Sequence, residues 1–227
     1  MRMKISHLGA VCAAAVAFAV APVSSANAQI TWTSWTADSP GALTGTASGM
    51  MGSIAVTYTG EVGSGTQINN TGSVTAWRET GTPLAFGGQG PTTTDFVQLV
   101  GGTSTGTNTL SFSSPVNNLF MGIASLGGYN TAQFNFTTPF TIISQGAGNW
   151  GGTATSLTQT GNTLFGTEGN GVLQFSGPVS TLTWTNPVSE YYYGFTVGTS
   201  TVPEPSSIAL LGTGLFGLVP MMRRRRK

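Results

Sequence analysis

Tyr191-Tyr192-Tyr193-Gly194-Phe195-Thr196-Val197 sets a large apolar side chain at every second position, at Tyr191, Tyr193, Phe195 and Val197. Successive side chains of an extended strand point to opposite faces, so this run predicts a half-buried strand with those four on the inner face and Tyr192 outward. Shorter runs repeat the pattern along the chain: Ile54, Val56 and Tyr58; Leu110 and Phe112; Phe134 and Phe136; Leu173 and Phe175. The residues between them are mostly Thr, Ser, Gly and Asn, and Thr suits a pleated surface. Between Gln29 and Thr201 no window carries an apolar stripe at helical spacing with helix-forming residues between.

Turn signals separate these runs. Gly60, Gly63 and Gly65, then Gly87 to Pro91, Gly101-Gly102, Gly127-Gly128, Gly146 to Gly152, Gly166 to Gly171 and Gly177-Pro178 break the chain at short intervals. The spacing predicts about ten to twelve short strands, which fits an all-β fold, one β-sandwich or jelly-roll domain over residues 29–201. A β-solenoid would show a fixed repeat, and none is present. Disordered chains lack such regularly placed aromatics. Two segments share a shape, Ser114-Pro115-Val116 leading into Leu119-Phe120-Met121 and Leu173-Gln174-Phe175 leading into Gly177-Pro178-Val179. Both read as strand entries of a sandwich.

Charge is scarce and unevenly placed. Five of the eight bases are Arg223, Arg224, Arg225, Arg226 and Lys227, and Arg2 and Lys4 are two more. Between residues 29 and 202 the one base, Arg78, faces six acids, Asp38, Glu61, Glu79, Asp95, Glu168 and Glu190, for a net charge of −5. A nucleic-acid partner is not expected, because binding a phosphate backbone needs clustered Lys and Arg. The single Cys, Cys12, and the single His, His7, both precede residue 29, and no Lys lies between residues 29 and 202. The central domain therefore has no thiol nucleophile, disulfide, Ser-His triad, His-based metal site or Schiff-base lysine. The expectation is a non-enzyme.

The first 28 residues read as a signal peptide. A basic start, Met1 to Lys4, precedes an apolar run from Leu8 to Val20 and then Ala26-Asn27-Ala28 before Gln29. Small residues at Ala26 and Ala28 form a signal-peptidase site, so cleavage is expected after Ala28. The alternative is an uncleaved anchor, for which the run is short of the ~20 residues that span a bilayer.

Residues 202–227 also have three parts. Pro203-Glu204-Pro205 enforces an extended segment, Ile208 to Met222 is apolar and uncharged, and Arg223 to Lys227 is basic. As a helix the apolar part would span ~22 Å, a little less than the ~30 Å hydrocarbon core, and would insert transiently in a membrane with its basic end on the cytoplasmic side. These residues resemble the PEP-CTERM sorting signal: Val202-Pro203-Glu204-Pro205, a short hydrophobic stretch, then the arginine cluster Arg223, Arg224, Arg225 and Arg226. The resemblance implies recognition by exosortase, a membrane-embedded protease, removal of the tail, and release of the body or its transfer to a surface acceptor. It also implies a bacterial envelope or extracellular location, in cells that make exopolysaccharide and biofilm. A plain tail anchor is the alternative.

Candidate contacts in the body follow from side-chain chemistry. Trp32 and Trp35 should face opposite sides of a strand, one in the core and one exposed. An exposed Trp there, or Tyr192, is a candidate for stacking on a sugar of a polysaccharide partner; the alternative is that these aromatics fill the core. Glu168 with Asn170 is a candidate for calcium ligation, although the surrounding loop supplies few oxygens, so no cofactor is otherwise expected. Asp95 with Glu190 is a candidate carboxylate pair for glycoside hydrolysis. The leading functional expectation is a structural or adhesive protein of the surface or matrix; a glycan-binding module comes next and a carboxylate-based hydrolase last.

Overall fold

A computed structural model describes residues 29–71, 76–77, 86, 90–128 and 132–200. The segments expected to be the signal peptide and the sorting tail lie outside them, as do Ala26, Ala28, Pro203, Glu204, Pro205 and the four arginines. Among the described residues there is no α-helix. Two antiparallel sheets pack as a sandwich.

The first sheet runs β1 (Ile30–Trp32), β14 (Tyr193–Ser200), β7 (Leu119–Leu126), β12 (Gly169–Phe175), β9 (Phe140–Gln145), with β5 (Val97–Leu99) also on β14. The second runs β10 (Leu157–Thr160), β11 (Thr163–Gly166), β8 (Gln133–Phe136), β13 (Val179–Asn186), β6 (Thr103–Val116), β4 (Ile54–Val62), β3 (Gly41–Met51), β2 (Ser34–Ser39). The described residues thus form fourteen strands where ten to twelve were expected. The difference comes from short edge pieces, such as three-residue β1 and β5, which carry too few residues to show alternation.

The alternating runs supply the interface between the sheets. Tyr58, Leu110, Phe112, Phe134, Phe136, Leu173, Phe175, Phe195 and Val197 all belong to one buried cluster. At its centre Tyr58 stacks on Trp184 with ring centroids 5.7 Å apart, and Phe195 meets Trp184 edge-on at 5.2 Å. Edge-on and offset contacts of this kind add to the burial of the rings themselves.

A second cluster covers the outer face of the first sheet. Trp77, Phe86 and Phe96 pack there with Trp32, Phe120, Ala124 and Val172. Every residue of β7 is consequently buried, Leu119, Met121 and Ile123 toward the sandwich interior and Phe120 and Ala124 toward this cover. Trp32 and Trp35 do face opposite ways, into the second and first clusters. The expectation that one of them is exposed is corrected: both are buried, because the outer face of the sheet is itself covered.

The two Pro-Val segments are two of the places where the chain crosses between sheets. β6 passes to β7 through Asn117-Asn118, and β12 passes to β13 through Ser176-Gly177-Pro178. The crossings run side by side, for Val116 pairs with Val179 and Leu119 with Phe175. Gly177 has a φ of 81° with open space around it, so backbone conformation alone selects glycine there. Gly60 and Gly171, expected in turns, lie within β4 and β12 instead.

Candidate functional site

The chain enters β14 through Glu190-Tyr191-Tyr192, at the end of the sandwich where β7 finishes in Gly127-Gly128. Glu190 is 7% exposed, and its carboxylate caps that turn: Oε2 accepts the Gly127 N–H at 2.6 Å and Oε1 accepts the Gly128 N–H. Its own N–H donates to the Val100 carbonyl at 2.9 Å. Gly127 has a φ of 91°, and a β-carbon there would overlap the Gly166 carbonyl. Glycine is required on both counts.

Glu168 arrives from the other side, just before β12. Its Oε2 accepts a hydrogen bond from Ser125 Oγ at 2.7 Å, and its Oε1 accepts none from a described residue. A methyl group on Gly128 would overlap both Glu168 Oε1 and Glu190 Oε1, so the two carboxylates face each other across the space of one small group. Ser125 and Glu168 both hold left-handed backbone, φ 56° and 50°. Strain at non-glycine residues concentrates at sites held by their surroundings. Burial pushes the Glu190 carboxyl up to about 7 against the opposing pull of the Gly128 and Gly127 N–H groups, and the nearby Glu168 adds to the rise.

Aromatic rings complete the wall. Tyr192 is half-buried, stacked on Phe96 at 5.6 Å and in contact with Trp150 at 4.9 Å. Burial raises its phenol above the ordinary tyrosine range. Tyr191 is 84% exposed. The Tyr191-Tyr192 ridge separates two hollows. One, about 430 Å3, is bounded by Ser125, Gly128, Trp150, Glu168 and Glu190. The other, about 670 Å3, is bounded by Gly63, Ser64, Gly65, Gln98, Val100 and Ser189.

Of the residues picked out by sequence, the site gathers Glu168, Glu190 and Tyr192. Tyr191 does not face inward as its alternation predicted, because the strand begins only at Tyr193. Trp32 and Trp35 are core residues. Asp95 does not join Glu190. It is fully buried, its Oδ2 accepting the Trp35 N–H at 2.9 Å and its Oδ1 the Asn70 N–H at 2.6 Å. Burial raises its carboxyl, and those two N–H groups partly offset the rise. Asn170 is also committed: Oδ1 accepts the Ser125 N–H at 2.8 Å, while Nδ2 donates to the Gly151 and Glu168 carbonyls. No group of three or more His, Cys, Asp or Glu gathers among the described residues.

Sequence reading missed Trp150, Ser125 and the capping role of glutamate. Glu61 behaves like Glu190 at the same end of the fold, its Oε2 accepting the Gly101 N–H at 2.7 Å and bonding Asn186 Nδ2 at 3.3 Å. The available signal was the Gly-Gly pairs, whose adjacent N–H groups need an acceptor where they are buried.

Comparison with known proteins concerns the C-terminal segment. The family model of the PEP-CTERM protein-sorting motif matches residues 201–227. No curated protein and no solved structure matches the chain. The chain therefore carries, behind an all-β sandwich, a C-terminal PEP-CTERM protein-sorting motif, which implies export, sorting to the cell envelope or surface, and processing by exosortase, a membrane protease.

Proposed function

We propose that the processed body is a non-enzymatic, adhesive protein of the cell surface or extracellular matrix that contacts polysaccharide through the Trp150-Tyr191-Tyr192 ridge. The observation that carries this reading is Tyr191, a large aromatic left 84% exposed beside half-covered Trp150 and an unpartnered Glu168 oxygen. A sugar presents apolar C–H faces and hydroxyl donors at once. An aromatic ridge accepts the former and carboxylate oxygens the latter, and convergence of such groups on a hollow marks a binding site. An exopolysaccharide or biofilm matrix is the setting that the sorting motif favours. The test is retention of the mature protein on neutral and charged polysaccharides in affinity electrophoresis. Retention that Tyr191→Ala abolishes supports the reading; no retention on any polysaccharide leaves a purely structural role.

A glycoside-hydrolase reading has one observation in its favour, the facing Glu168 and Glu190 carboxylates with Glu190 raised to about 7. The backbone speaks against it. Both Glu190 oxygens already accept N–H groups, so the carboxyl is committed to the Gly127-Gly128 turn. Reducing-end release that disappears in Glu168→Gln would reinstate it.

A further inference from the structure

We propose that, in the membrane-tethered precursor, the pole of the sandwich where Ile30 meets Ser200 lies against the lipid surface and the Trp150-Tyr191 hollow faces away from it. This rests on the reading of residues 202–227 as a membrane-halted sorting tail, and it adds an orientation that the motif does not contain.

Strand register carries the argument. Ile30 pairs with Ser200, Thr199 with Leu119, and Leu119 with Phe175. The Asn117-Asn118 and Ser176-Gly177-Pro178 crossings therefore share the pole from which the tail departs, and Thr199 Oγ1 donates to the Asn117 carbonyl at 3.1 Å. The Gly52-Ser53 turn joins them, with Gly52 beside Thr31. The hollow lies beyond the other end of β14. Tyr193 and Ser200 are the two ends of this eight-residue strand, about 23 Å apart at a rise of ~3.3 Å per step.

The tether is short on this scale. Residues 201–207 stand between Ser200 and the apolar run, which limits the gap to roughly 28 Å at full extension. Pro203 is within about 10 Å of Ser200 by the same measure. Turning the opposite pole to the membrane would require the whole tether to lie along the sandwich. Pro203-Glu204-Pro205 would then be pressed against the domain instead of standing clear for a protease.

Charge favours the same orientation. The turns at the tethered pole named above are built from Gly, Ser, Asn and Pro, with no ionisable side chain. Glu61, Glu168 and Glu190 all sit at the opposite pole, and no base occurs among the described residues. A screening length of about 8 Å leaves those acids insensitive to anionic headgroups when the uncharged pole is down, and repelled when it is up.

The experiment uses the full-length chain accumulated in a strain lacking exosortase. The segment from Gln29 onward contains no Cys, so single cysteines report position directly. Ser53→Cys and Ser176→Cys mark the tethered pole and Ser64→Cys the far one; all three serines are exposed. Spheroplasts are treated with a membrane-impermeant polyethylene-glycol maleimide, before and after detergent. The proposal expects Ser64→Cys to react at the same rate in both conditions. Ser53→Cys and Ser176→Cys should react several-fold more slowly on the membrane and recover in detergent. Equal protection at both poles, or protection of Ser64→Cys alone, overturns the orientation while leaving the tether intact. A chain absent from the membrane fraction overturns the tether reading itself, and the orientation with it.

Discussion

Ile30 and Ser200 are antiparallel partners at one end of the first sheet, so the body begins and ends at neighbouring backbone positions. Paired residues of this kind have Cα atoms about 5 Å apart. The body should therefore tolerate circular permutation. Joining Ser200 to Ile30 through a short Gly-Ser linker, and opening the chain at the exposed Gly161, should give a soluble protein with the circular dichroism spectrum and cooperative unfolding of the parent. An unfolded product would contradict the strand pairing.

Glu190 predicts a pH dependence with a definite sign. Its carboxyl is raised to about 7 in the fold, so between its unfolded value and pH 7 the native state holds the extra proton. Stability is then highest below the unfolded carboxyl range and falls as pH rises toward 7, by up to about 3 kcal/mol for this group alone. Asp95 contributes in the same direction. Urea unfolding from pH 4 to pH 8 should show this decline, and Glu190→Gln should remove its upper portion. A wild-type curve that rises with pH across this window would refute the assignment.

Neighbouring tyrosines should separate binding from stability. Tyr191→Ala removes a ring with little buried area and should change the unfolding free energy by less than about 0.5 kcal/mol. Tyr192→Ala removes the stack on Phe96 and the contact with Trp150 and should cost on the order of 1–3 kcal/mol. Thermal denaturation of the two variants checks the contrast.

Calcium should not stabilise the body. The Asn170 side chain is spent on three backbone groups and one Glu168 oxygen on Ser125. A melting temperature unaffected by millimolar calcium or by EDTA is the expected outcome, since a ligand that binds only the folded state must raise it.

The parts of this architecture that sequence revealed are those governed by one local rule. Phe134 and Phe136, or Leu173 and Phe175, alternate because one face of each strand meets the core, and that periodicity survives in a single sequence. Tyr191 broke the pattern because the Glu190 cap turns the chain before β14 begins, placing Tyr191 in the loop. The cover of Trp77, Phe86 and Phe96 was hidden for a different reason: it lies in a segment without strand periodicity, yet it buries the outer face of β7. The facing of Glu168 and Glu190 was hidden as well, since it arises only when β12, β7 and β14 lie side by side. Asp95 looked equally suitable for that pair until its oxygens proved to hold Trp35 and Asn70.

The central claim is that residues 201–227 direct sorting and processing while the sandwich is what remains. The C-terminal mass of the mature chain, measured in cells with and without their exosortase, tests it most directly. The expected result is loss of residues 208–227 in the presence of the enzyme and their retention in its absence. Retention of those residues in both strains would contradict the account and make the protein a tail-anchored β-sandwich.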